Sequence, residues 1–254
     1  MLGFDFKTVS LATGSRKSQW QPTNLPNLSA WYDPSDLSTL FQDAAGTIAV
    51  TSDGDPVGKI LDKSGNGYHL SQTNTASKPS YHTDGVRHWI ESDGVDDFME
   101  ANTRFGLAAN PALSVVAALR PLSYDVVDRV LHIGGVAETG TLSASVGTAG
   151  ASWRHNNGYA GFGAATVNLD HTFSWWRGAS STYAEERGAV DGVPWTFASG
   201  GGTNVPTSTT NNACIFAQSS TSDLAHLRLY GLVLLGVDSS NEREQVESFL
   251  LSKY

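Results

Sequence analysis

Three stretches of this 254-residue chain hold residues whose types and spacing could do chemistry. In Glu91-Ser-Asp93-Gly-Val-Asp96, strand alternation puts Glu91 and Asp93 on one face, as paired carboxylates for glycoside hydrolysis require. Gly94 breaks the strand at that point, so the segment reads as a turn whose carboxylates accept backbone N–H bonds. Asp62-Lys-Ser64-Gly-Asn66-Gly67 sets side-chain oxygens at alternate positions before a glycine, as a calcium loop opens. The bidentate glutamate of such a loop is replaced by Thr73. A hydrogen-bonded turn is therefore the simpler reading. Calcium on Asp62, Ser64 and Asn66 would need further oxygens, from Asp53 and Asp55 or from Asp93 and Asp96. Trp153-Arg154-His155-Asn156-Asn157-Gly-Tyr159 combines an aromatic platform, a cation and amides, which together suit a saccharide's C–H faces and hydroxyls. A plain hairpin turning at Asn157-Gly158 competes with that reading.

Other chemistries find little footing. Cys214 is the only cysteine, which rules out an intrachain disulfide, and its setting Ala213-Cys-Ile-Phe-Ala reads as a buried strand holding an inert thiol. The seven histidines lack zinc spacing. The sequence has no nucleophile elbow, P-loop or dinucleotide fingerprint. A net charge of −9 without a basic run argues against nucleic acid and anionic membrane as partners. No segment approaches the ~18 apolar residues of a membrane helix, and Met1–Lys17 lacks the pattern of a secretory signal.

The elements that must carry these residues are short strands between turn signals. Leu113-Ser-Val-Val-Ala-Ala-Leu-Arg is apolar on both faces and reads as a central strand. His171-Thr-Phe-Ser-Trp-Trp-Arg is another, sending Trp175 and Trp176 to opposite sides. Asp191-Gly192 predicts a tight hairpin, and Pro194 an edge position for the strand after it. The chain closes with one amphipathic helix. Ser239 and Glu242 have capping-box spacing, and Val246, Phe249 and Leu250 form an apolar stripe expected to cap one end of the sandwich. Residues 1–24 differ: Leu2, Phe4 and Phe6 alternate as a strand that needs a partner, so they read as an attachment arm ahead of a single domain over 25–254.

Ala30-Trp-Tyr-Asp-Pro-Ser-Asp-Leu-Ser-Thr-Leu-Phe, Asp62-Lys-Ser-Gly-Asn-Gly-Tyr-His and Asp93-Gly-Val-Asp-Asp-Phe, followed by the closing helix, resemble the concanavalin A-like lectin/glucanase (LamG-like) jelly-roll family over residues 25–254. The resemblance implies an all-β, two-sheet antiparallel jelly-roll sandwich with one C-terminal α-helix. The glucanase branch ends its carboxylate set in Glu where this chain has Asp96, so the resemblance implies no catalytic residue here. Such domains recur on bacteriophage tails and virion surfaces. The resulting expectation is a non-enzymatic virion-surface protein (tail fibre, spike or head fibre), made in the bacterial cytoplasm and forming homo-oligomers. It would bind other virion proteins through residues 1–24 and contact host-surface glycan through its loops, with no cofactor beyond possible calcium. A free carbohydrate-binding module and a polysaccharide-cleaving enzyme are the alternatives.

Overall fold

The computed structural model describes residues 20–254 apart from 126, 136–139, 148–149, 156–157, 162–165, 180, 183–184, 196–198, 201–206 and 219–221. Two antiparallel sheets stack face to face, as the alternating patterns predict.

The eight-stranded sheet runs Val193–Pro194, Arg187–Val190, His171–Arg177, Leu113–Pro121, His226–Leu235, His88–Asp93, Ser80–Thr83. Its eighth strand, Leu28–Tyr32, pairs with the far half of His226–Leu235. The ten-stranded sheet runs Ser199–Gly200, Gly158–Gly161, Ser152–His155, Leu142–Val146, Asp128–Ile133, Ala213–Ile215, Met99–Ala101, Leu70–Ser71, Lys59–Ile60, Leu40–Phe41. The hairpin at Asp191-Gly192 has φ of 51° and 73°, the left-handed conformation of a tight turn. Val193–Pro194 is an edge strand, where a missing N–H costs nothing.

Between the sheets lies the main core, including Tyr32, Leu119, Leu131, Phe173, Trp175 and Leu232. A second apolar layer forms on the outer face of the eight-stranded sheet. Trp31, Val116, Ala118, Tyr230 and Val233 point outward there and are covered by Val246 and Leu250 of the helix Ser240–Leu250. The helix therefore lies flat across the strands around Leu113–Pro121 rather than capping an end of the sandwich. The reason is the apolar character of both faces of those strands, whose outer side would otherwise meet water. Ser239 Oγ accepts from Glu242 N–H at 3.4 Å, the expected cap. Trp175 enters the core, and Trp176 lies outside under the Arg243 guanidinium, 3.8 Å from the ring centroid.

The outer face of the ten-stranded sheet is polar. Phe41, Lys59, Ser71, Glu100, Cys214, His132 and Ser143 follow one another in register across seven strands. His132 and Ser143 are buried and share a 2.7 Å hydrogen bond through Nδ1 and Oγ. Burial and the nearby Arg129 push the His132 pKa down to about 4, so the ring is neutral near pH 7. Arg129 donates to Asp223, Ser145 and Gln218. Cys214 is buried, and desolvation raises its thiol pKa further, so the thiolate does not form near neutrality.

The folded body reaches back at least to Trp20, which packs edge-to-face on Phe249 with centroids 5.8 Å apart. Residues 1–19 of the expected arm lie outside the described residues.

Candidate functional site

The turn Asp62–Tyr68 is built by one carboxylate. Asp62 Oδ1 accepts from the N–H of Trp31 (3.0 Å) and of Ser64 (2.8 Å), and Oδ2 from Ser64 Oγ (2.7 Å) and Tyr68 N–H (3.1 Å). Asn66 donates through Nδ2 to the carbonyls of Leu28 (3.1 Å) and Ser29 (2.8 Å). Both oxygens of Asp62 thus face hydrogen donors, the Ser64 hydroxyl among them. The geometry is that of the hydrogen-bonded turn, with Asp62, Ser64 and Asn66 locking it to the strand Leu28–Tyr32 rather than converging on a cation.

The second acidic segment behaves alike. Asp93 Oδ1 accepts from the N–H of Val95, Asp96 and Asp97. Glu91 leaves this group and pairs with Arg228 at 2.8 Å. Carboxylate oxygens of Asp93, Asp96 and Asp97 lie within 4.8 Å of one another. Burial and the neighbouring Asp93 push the Asp97 pKa up to about 6.

The hairpin reading places Trp153 wrongly for a sugar platform. Trp153 pairs with Ala144 on the inward side of the sheet, is wholly buried, and donates from Nε1 to Trp176 O at 3.3 Å. Alternation explains the error: once Ser152 shares the outer face with Ser145, Trp153 must face the core. Arg154 pairs with Tyr159 and His155 with Gly158 in backbone register, while Asn156 and Asn157 lie outside the described residues.

What the structure does assemble is a cleft of about 480 Å³ at one end of the sandwich. Its walls come from Pro26–Ser29, the tip of the Asp62 turn (Asn66 and Tyr68), the loop Phe105–Ala112, and Gly236 after the long strand. The loop is held in a costly shape. Phe105 adopts φ 56°, left-handed and strained for a bulky residue. Three contacts fix it: Ser29 Oγ donates to Phe105 O (2.5 Å), Phe105 N–H to Thr103 Oγ1 (3.0 Å), and Tyr68 meets the Phe105 ring edge-to-face at 5.9 Å. Gly106, at φ 73°, passes so close beneath Tyr68 that a Cβ would lie 2.8 Å from its hydroxyl. From behind, the buried Arg177 donates to Pro111 O (2.7 Å) and Ser181 O (2.7 Å) and pairs with the equally buried Glu186 at 3.0 Å.

Polar groups ring this mouth without any charged side chain among its lining residues. Asn110 Oδ1 is buried with no hydrogen-bond partner. Asn27 and Asn66 both direct Nδ2 into the protein, to Glu242 Oε1 (2.7 Å) and to the Leu28 and Ser29 carbonyls. That arrangement leaves amide oxygens as the acceptors, beside the Tyr68 ring and hydroxyl. Sequence reasoning found Asn66 as part of a hydrogen-bonded turn, with calcium as the alternative, and missed Asn27, Tyr68, Phe105 and Asn110. The one local signal for them was Gly67-Tyr68 following a tight turn.

No family model matches the chain, and no curated protein matches it by sequence. Solved structures do. An arabinofuranosidase complexed with arabinofuranosyl-α-1,2-xylobiose superposes with a TM-score of 0.63 at 16% identity, covering 89% of this chain and 62% of that one. The binding domain of Paraclostridial Mosquitocidal Protein 1 gives 0.59 at 12% identity, over 91% and 52%. Trypanosoma rangeli sialidase gives 0.53 at 13% identity, over 90% and 33%. The likeness is one of fold.

This chain spans less than two thirds of each of those proteins. The matches nonetheless correct the expectation of a non-enzymatic virion-surface part. They include glycosidases, so the fold gives no ground for ruling out an enzyme. Of the resemblance, the β-sandwich of glycosidase-like type is what stands.

Proposed function

We propose that this chain is a carbohydrate-active sandwich that engages a neutral saccharide in the cleft between Asn27, Asn66, Tyr68 and Asn110. The observation that carries the reading is a mouth lined by Asn27, Asn66, Tyr68 and Asn110 with no charged side chain among its described lining residues. Side-chain amides and a phenol exchange hydrogen bonds with sugar hydroxyls without a charged partner. A volume of about 480 Å³ lies within the range of small-molecule sites. Acceptor oxygens without a cation favour neutral pentoses or hexoses over a carboxylate-bearing sugar such as sialic acid. The LamG-like assignment, carried by the Asp62 and Asp93 turns, belongs with this reading.

A glycan array followed by titration calorimetry tests it. Neutral saccharides should bind and sialylated ones should not. Asn110→Ala should weaken binding by about tenfold while leaving the melting temperature nearly unchanged, since no hydrogen bond is lost. Binding of sialylated glycans alone, or native affinity in Asn110→Ala, would defeat the proposal.

A second reading, cleavage of the glycan by this chain, is supported by the glycosidase likenesses and by Asp128. Burial, followed by the neighbouring acids Asp125 and Asp223, pushes the Asp128 pKa up to about 7, the range of a general acid. Product analysis on arabinoxylan with native protein and Asp128→Asn decides it: sugar release lost in the variant supports cleavage, and no release by the native chain eliminates it for that substrate.

A further inference from the structure

We propose that the cleft is one half of a longer track, which crosses the Asn27–Glu242 contact onto the C-terminal helix and takes an oligosaccharide rather than a single sugar. The inference rests on the glycan reading above and extends it from ligand class to ligand length. A second groove, of about 470 Å³, runs between Trp20 and one stripe of the helix that includes Asn241, Gln245 and Phe249. Like the cleft it sets aromatic rings beside amides, and it adds one carboxylate, Glu244. Trp20 is held edge-to-face on Phe249 at 5.8 Å, and Phe249 in turn meets Trp31 at 5.8 Å, so the wall is braced from behind. Gln245 donates from Nε2 to Asn241 O at 3.1 Å, which turns its Oε1 away from the helix as an acceptor.

The ridge between the two sites is short and polar. Asn27 lines the cleft and donates to Glu242 Oε1 at 2.7 Å, and Asn241, the next residue, lines the groove. Gly236 of the cleft donates its N–H to Asn27 O at 2.9 Å, tying the ridge down. Trp20 on the groove and Pro26 on the cleft flank the helical turn Pro22–Asn24. Two sites of this size on either side of one short ridge fit a chain of several sugar units better than two unrelated ligands, because linking the units makes the second contact intramolecular.

Titration calorimetry of the full chain with arabinofuranosyl-substituted xylo-oligosaccharides of increasing length tests the track. Affinity should rise by roughly tenfold from the shortest to the longest probe as the aromatic wall is engaged. Trp20→Ala should abolish that rise without changing affinity for the shortest probe, whereas Asn110→Ala should weaken every length. Gln245→Ala, which leaves Trp20 in place, should reduce the rise in part and guards against a Trp20→Ala variant that loosens the helix. Length-independent affinity, or a full rise in both Trp20→Ala and Gln245→Ala, overturns the track and leaves the cleft proposal standing. No binding of the native chain to any length overturns both.

Discussion

The two outer faces of this sandwich are made from the same kind of strand and end in opposite states. On the eight-stranded sheet the outward residues are Trp31, Val116, Ala118, Tyr230 and Val233, and a helix covers them. On the ten-stranded sheet the outward row holds Lys59, Ser71, Glu100, His132 and Ser143, with His132 and Ser143 joined by a hydrogen bond. One face derives its stability from area removed from water, which tolerates shape changes poorly and pH changes well. The other depends on satisfied polar groups, whose worth varies with protonation.

The sharpest way to break that contrast is at the helix. Leu250 is fully buried over Gly231, so Leu250→Ala should cost about 2–5 kcal/mol in denaturant unfolding, with little pH dependence. Next comes Asp128, at the end of a strand of the polar sheet. Its folded pKa of about 7 exceeds the unfolded value of 3.8, so between those values the folded state binds more protons than the unfolded one. Stability should therefore fall as pH rises from about 4 to 7, and Asp128→Asn should flatten that limb in melts across this range. His132 works in the opposite sense: its folded pKa is below 6.5, so its share of stability is lost as pH falls from about 6.5 to 4.

Ser143→Ala removes the His132 partner and should cost about 1–2 kcal/mol by denaturant unfolding, less than the helix variant. The smallest effect is expected at Glu100, exposed in the same row. Glu100→Gln should stay within about 0.5 kcal/mol, and a larger loss would mean that the row is more tightly coupled than its pairings indicate.

Much of this contrast was legible before any coordinates, because it is local. His171–Arg177 was readable from alternation, Asp191-Gly192 from turn chemistry, and the helix start from Ser239. Leu113–Leu119, apolar on both faces, already carried the information that something must cover its outer side, although it could not name the helix. The cleft was not legible. Asn27, Tyr68 and the loop holding Phe105 and Asn110 come from three separate segments, and only the pairing of distant strands brings them together. Trp153 misled for a related reason: an Asn-Gly turn indicates where a hairpin reverses, and which side faces the core is set by neighbouring strands.

Leu28–Tyr32 finds its partner in the last strand, Leu28 opposite Leu235, roughly 200 residues along the chain. The strand Leu28–Tyr32 thus waits for this partner until Leu235 has left the ribosome, and the sandwich closes late and slowly. Cutting the chain before His226 would then do more harm to expression than any change at the cleft, because it leaves Leu28–Tyr32 with nothing to zip against.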